Sequence, residues 1–131
     1  MEIEKNRPTG KMVLRTVPTN LNTNSNGDVF GGWIMSKMDI AGAILAKEIS
    51  QGKVVTVQVN NITFLKPVSI GDIVSCYVDL VKIGKSSISI NIEIWIKKIF
   101  SKSTKKKYIV ATSNFIYVAI DDTGKPRIFL I

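Results

Sequence analysis

One carboxylate stands apart by its surroundings. Asp39 lies inside the stretch GGWIMSKMDIAGAILAKEIS, whose length and composition predict a helix over residues 31–50. On a wheel turning about 100° per residue, Met35, Met38, Gly42, Leu45 and Ile49 form an apolar sector, with Lys37 and Glu48 on the far side. Asp39 falls at the edge of that sector, beside Met35, Ala43 and Ala46. Partial loss of hydration there disfavours the charged carboxylate and makes it a better base or nucleophile than an exposed aspartate. Position on the wheel fits a solvated edge residue equally well.

The neighbours favour chemistry. Ala41, Gly42, Ala43 and Ala46 leave room along the helix for a ligand or a second helix. Gly31 and Gly32 bring bare backbone N–H groups to the helix N-terminus, where the dipole favours negative charge and an oxyanion could be held. The preceding NGDVF also reads as a tight Asn-Gly turn with a lead-in. No spacing matches GxGxxG or a phosphate loop ending in GK[ST], so nucleotide hydrolysis and dinucleotide binding find no support. Histidine is absent, which removes the serine triad, the cysteine–histidine pair and most catalytic zinc sites. No metal site is expected, and carboxylates, amides and hydroxyls must run any reaction. Cys76 is the single cysteine, in an alternating strand-like stretch, and reads as a half-buried structural residue.

These groups need a frame. After the helix the pattern turns to period two in VVTVQVNNITFL, DIVSCYVDLVKI, SSISINIEIWIKK and YIVATSNFIYVAI, separated by KPVSIGD, GKS and the lysine-rich FSKSTKKK. The third stretch is the clearest, with Ile88, Ile90, Ile92, Ile94 and Ile96 on a core face. Ser89, Asn91, Glu93, Trp95 and Lys97 share the other, partly wet face, so Trp95 is expected to bury against a neighbouring subunit. MVLRTVP adds a short strand before the Asn-rich loop. Asp28 and the glycines serve as helix start signals, with Gly52 just past its end. The expected class is α+β: one long helix lying on an antiparallel sheet of about five strands. At 131 residues, with 45% apolar and 21% charged residues, the chain should form one folded domain with its core over about residues 11–120.

The formal charge of +8 is carried mostly by lysine, with arginine only at Arg7, Arg15 and Arg127. Arginine is the residue that grips phosphates and bases bidentately, so the balance suits an anionic ligand such as a nucleotide-bearing cofactor better than RNA or DNA. The start carries no apolar stretch of signal-peptide length, and no apolar run is long enough for a bilayer. A cytoplasmic protein without membrane or nucleic-acid partners is the expectation.

Three blocks, NSNGDVFGGWIMSKMDIAGAILAKE, VVTVQVNNITFLKPVSIGD and GKSSISINIEIWIKK, closely resemble in order and spacing the bacterial broad-specificity acyl-CoA thioester hydrolases of the hotdog superfamily. The resemblance runs from about Lys11 to Val118. It implies a hotdog fold and hydrolysis of acyl-CoA to free acid and CoA, with no cofactor beyond the coenzyme A of substrate and product. Residue by residue it implies Asp39 as general base or nucleophile, the Gly31 N–H as oxyanion donor, Asn24 as the amide near the thioester, and Thr56 as a hydroxyl placing water. Gly32 and Phe30 flank that oxyanion position; many relatives have histidine where this chain has Phe30. Lys85, Ser86 and Ser87, after Gly84, resemble the part that meets the nucleotide end of CoA, and they also make a plain hairpin turn. The family further implies dimers that join as a trimer of dimers, with Asn24 and Gly31 of one chain facing Asp39 and Thr56 of the other. A hydratase on acyl thioesters, usually histidine-dependent, and a non-catalytic acyl-CoA or nucleic-acid binding module are the competing readings.

Overall fold

A computed structural model describes residues 5–98 and 107–131; most of the lysine-rich link before the last strand lies outside them. The alternating stretches become strands β1 (Lys11–Thr16), β2 (Val54–Phe64), β3 (Ile73–Ile83), β4 (Ser87–Lys97) and β5 (Lys107–Ala119). They form one antiparallel sheet in the order β1-β3-β4-β5-β2. Helix α1 (Gly31–Ser50) lies on one face and packs against every strand.

Side-chain alternation explains that arrangement. The five isoleucines of β4 turn to α1 and lose all contact with water, joined by Val74, Cys76 and Val78 of β3 and Ala111, Phe115 and Tyr117 of β5. Each such large apolar side chain contributes roughly 2 kcal/mol when fully buried. From the helix, Ile34, Met38, Ala41, Gly42, Leu45 and Ala46 complete the core. This differs from the wheel in one respect. Met35 is 38% exposed, because α1 is rolled so that Ile34 and Ala41 face the sheet instead.

The helix ends also depart from expectation. Asp28 does not cap α1; the N-cap is Phe30, without a side-chain hydrogen bond, and Asp28 is held instead in a bridge to Ser69. At the other end Gln51, not Gly52, takes the left-handed conformation (φ 55°), its N–H donating to the Lys47 carbonyl at 2.8 Å. Arg127 donates from Nη1 to the Ser50 carbonyl at 2.9 Å, a cation where the helix dipole favours one.

The outer face of β4 corrects the expectation for Trp95. That side chain is only 1% exposed, clustered with Tyr77, Ile109 and Leu65 of its own chain. Its Nε1 donates to Glu93 Oε1 at 2.9 Å, and Glu93 also accepts from Lys5 Nζ at 2.6 Å and the Thr9 N–H at 3.1 Å. The segment ahead of β1 therefore satisfies the Glu93 carboxylate, and Trp95 is not a free surface for a neighbouring subunit. Cys76 is fully buried, and burial pushes its thiol up to about 12 against the opposing pull of Lys37.

β2 is an edge strand. Val55, Val57 and Val59 are exposed along it, Val57 by 54%. Irregularities in its pairing with β5 fall between Thr56 and Gln58 and between Asn60 and Thr63, and Asn61 has φ 52°.

Candidate active site

The third-last residue of β5 and the third residue of β2 meet beneath the helix. Tyr117 and Thr56 are cross-strand partners, and both reach the Asp39 side chain, which is half-buried on α1. Thr56 Oγ1 donates to Asp39 Oδ1 at 2.5 Å. Tyr117 Oη lies 2.8 Å from the Asp39 carbonyl oxygen and 3.1 Å from Oδ1, so its single proton is shared between the two. Both hydroxyls converge on Oδ1, and Oδ2 has no partner among the described residues. The carboxylate is thus oriented by one oxygen and available for chemistry at the other.

Tyr117 was not among the residues singled out from sequence, where it read as one more core position of a period-two strand. Burial above all, then the Asp39 charge and the hydrogen bond to it, raise its phenol well above the ordinary tyrosine range, outweighing the opposing Thr56 hydrogen bond. It therefore remains a protonated donor at any physiological pH. Gly42 was the available signal. A glycine inside a helix is about 1 kcal/mol worse than alanine, and here a Cβ would stand 2.2 Å from the Tyr117 hydroxyl.

At the helix N-terminus, the N–H groups of Gly31 and Gly32 find no acceptor among the described residues, as expected for a first turn. Gly31 sits under the Phe64 ring, 3.3 Å from where its Cβ would be, while Gly32 faces open space and Phe30 is largely exposed. A cleft of about 390 Å³ opens here, lined by Gly31, Ile34, Asp28, Phe64, Lys66 and Val68 among others. Asn24 shapes the loop beside it: its Oδ1 accepts from the N–H groups of Asn26 (2.9 Å) and Asp28 (3.1 Å). Its Nδ2 has no acceptor among the described residues and is free to donate outward.

The structure joins Asp39 to Thr56, but it does not join either to Gly31 or Asn24. The Gly31 cleft is at the Phe64 end of β2, and Asp39 is at the Thr56 end. Lys85, Ser86 and Ser87 form the β3–β4 turn, closed by the Gly84 N–H on the Ser87 carbonyl and anchored by the Ala119 N–H on the Ser86 carbonyl, both 2.8 Å. Because Ser87 pairs with Val118, next to Tyr117, this turn lies at the Asp39 end of the sheet. No group of three potential metal-ligating side chains occurs among the described residues.

A long helix laid on a five-stranded antiparallel sheet, with one carboxylate oriented from beneath, is the hotdog architecture. The sequence profile of the thioesterase superfamily matches residues 26–99, and the chain belongs to that superfamily. It is similar to an uncharacterized acyl-CoA thioester hydrolase of Buchnera aphidicola, at 64% identity over 95% of this chain and 93% of the relative. It is also similar to the acyl-CoA thioester hydrolase YciA of Salmonella typhimurium, at 57% identity over 93% and 92%. Among solved structures, a hexameric thioesterase from Yersinia pestis superposes with a TM-score of 0.91 at 55% identity, covering 95% of this chain and 100% of the other.

Proposed function

We propose that the chain hydrolyses acyl-CoA thioesters to a free acid and CoA, in a site shared by two copies. The observation that carries this reading is the Asp39 carboxylate, tied down through Oδ1 by two hydroxyls and free at Oδ2, in a chain whose relatives are named acyl-CoA thioester hydrolases. A thioester carbonyl is already activated, so one positioned carboxylate and one or two N–H donors suffice. Asp39 Oδ2 takes a proton from water as the oxygen attacks the carbonyl carbon. The developing oxyanion is held by the Gly31 N–H, with Gly32, Phe30 and the Asn24 amide around it. Collapse breaks the C–S bond, and the CoA thiolate recovers the proton from Asp39. Attack by Asp39 itself, through an anhydride that water then cleaves, balances equally well. Lys85, Ser86 and Ser87 lie at the Asp39 end, where they would meet the CoA nucleotide.

Sharing follows from distance and from the edge strand. Eight residues of helix separate Gly31 from Asp39 by about 12 Å along the axis, too far for both to grip one carbonyl. A long edge strand with exposed valines is a template for pairing, and antiparallel pairing of two β2 strands about a two-fold near Asn60 sets Thr56 opposite the second copy's Phe64. That register delivers Asp39 to the second copy's Gly31. The Yersinia pestis and Campylobacter jejuni neighbours are described as hexameric, and a trimer of dimers is the assembly expected here.

The test is thiol release from a panel of acyl-CoAs by the parent and by Asp39→Asn. The expected result is hydrolysis by the parent and a fall in kcat of about a hundredfold or more in the variant, with CoA affinity little changed. An Asp39→Asn protein working near the parental rate would remove Asp39 from the chemistry, and a folded parent inert on every acyl-CoA would leave only a binding module.

A further inference from the structure

We infer that Tyr117 is a positioning residue for Asp39, and that Gly42 is the residue that lets its hydroxyl reach the carboxylate. The inference rests on the assignment of Asp39 as base or nucleophile and extends it to two residues of the core.

The geometry is specific. Tyr117 is fully buried, stacked beside Phe115 with ring centroids 6.3 Å apart, so its ring has a fixed place between sheet and helix. From that place its hydroxyl meets α1 at one point, the Asp39 residue, touching both the carbonyl oxygen and Oδ1. A buried phenol needs one hydrogen-bond partner, and the Asp39 carbonyl alone would serve. The second contact, to the carboxylate, is what a purely structural tyrosine would not require. Gly42 lies three residues on, on the same helical face. A Cβ there would sit 2.2 Å from the hydroxyl and 2.8 Å from Cε1 and Cζ, so any larger residue displaces the phenol or the helix.

Thr56 and Tyr117 approach the same oxygen from neighbouring strands. Two donors on Oδ1 fix both the position and the rotation of the carboxylate, which aims Oδ2 away from the sheet. Thr56 alone would leave rotation about its own hydrogen bond. Reaction through Oδ2 depends on that orientation, so loss of the phenol, which is buried and makes its hydrogen bonds to Asp39, should be felt in turnover and not in binding of the CoA portion.

The experiment compares the parent, Asp39→Asn, Tyr117→Phe and Gly42→Ala by steady-state hydrolysis of one acyl-CoA, each first verified as folded by circular dichroism. Tyr117→Phe keeps the ring and removes one hydroxyl. Its kcat is expected to fall about tenfold, as for one hydrogen bond of ordinary strength, with KM within about twofold of the parent. Gly42→Ala keeps the phenol but pushes it off Asp39, and the same split is expected. A folded Tyr117→Phe with parental kcat, or one in which KM rises while kcat holds, overturns the inference while an inactive Asp39→Asn leaves the proposed function standing. Should Tyr117→Phe fail to fold, Gly42→Ala decides alone by the same criterion. Parental turnover by Asp39→Asn overturns the proposed base and this inference together.

Discussion

Replacing Gly42 with alanine opposes two physical effects of different sign. Helix propensity favours the alanine by about 1 kcal/mol, because glycine in a helix interior loses more backbone entropy on folding. Packing opposes it. The new methyl would stand 2.2 Å from the Tyr117 hydroxyl and 2.8 Å from two ring carbons, and neither the ring, wholly buried beside Phe115, nor the helix backbone can retreat freely. Overpacking of this kind costs about 1–3 kcal/mol, and displacing the phenol from Asp39 forfeits about 1 kcal/mol of hydrogen bonding. The net expectation is a destabilisation of about 1–3 kcal/mol. Gly32→Ala is the control: it lies in the same helix with nothing within 4 Å of the added Cβ, so propensity acts alone and stability should stay level or rise. Urea denaturation of both variants and the parent, at one fixed protein concentration because self-association contributes, reads the difference in midpoint. A Gly42→Ala protein at least as stable as the parent would show that the close approach of Tyr117 to the helix is wrong.

Two further outcomes follow. Cys76, buried and with its thiol pushed up to about 12, should resist an alkylating thiol reagent at pH 8 in the native protein and react at once in denaturant; rapid native labelling would contradict its place in the core. For the shared site, Asn24→Ala and Asp39→Ala, each nearly inactive, should recover about a quarter of parental activity when unfolded and refolded together in equal amounts, since half the dimers are mixed and each mixed dimer has one intact site. A mixture as inactive as its components, with mixed dimers demonstrated by differential tagging, would put the whole site in one chain.

The strands were legible because period two is a local signal: the isoleucines of β4 fix a face whatever lies above them. The helix was legible over its full span, yet its roll was not. Met35 and Ile34 are both large and apolar, and which one faces the sheet depends on the depth of the β-strand side chains below. Trp95 was misjudged for a related reason. Its cover comes from Tyr77, Ile109 and Leu65 on other strands and loops, and its partner Glu93 is satisfied by Lys5 and Thr9, more than eighty residues away, contacts that no window of sequence contains. Asp39, Gly31 and Thr56 stand out in the sequence because they are unusual residue types for their local pattern or match a known motif, and of these the structure joins Asp39 to Thr56. Tyr117 breaks no pattern, and only its strand register with Thr56 brings it to the site.

The proposed dimer places two demands on β2 that restrict one another. Its edge must pair with a second copy, which favours a long regular strand, and it must hold Thr56 and Phe64 at separations that match the partner's. In an antiparallel pair related by a two-fold axis, residue numbers facing each other have a constant sum. Thr56 opposite Phe64 therefore requires the axis near Asn60. Moving the register by one residue turns side chains to the wrong face, and moving it by two displaces the carboxylate by about 7 Å from the oxyanion donors, beyond hydrogen-bond reach. The irregularity between Asn60 and Thr63, with Asn61 at φ 52°, falls at this point of the strand. A bulge bends and twists a strand locally and is hard to slide along a partner, so it can hold the one register in which both half-sites meet. Assembly and catalysis would then depend on the same edge strand, through the irregular residues Asn60–Thr63 that fix its register as much as through the site residues that register aligns.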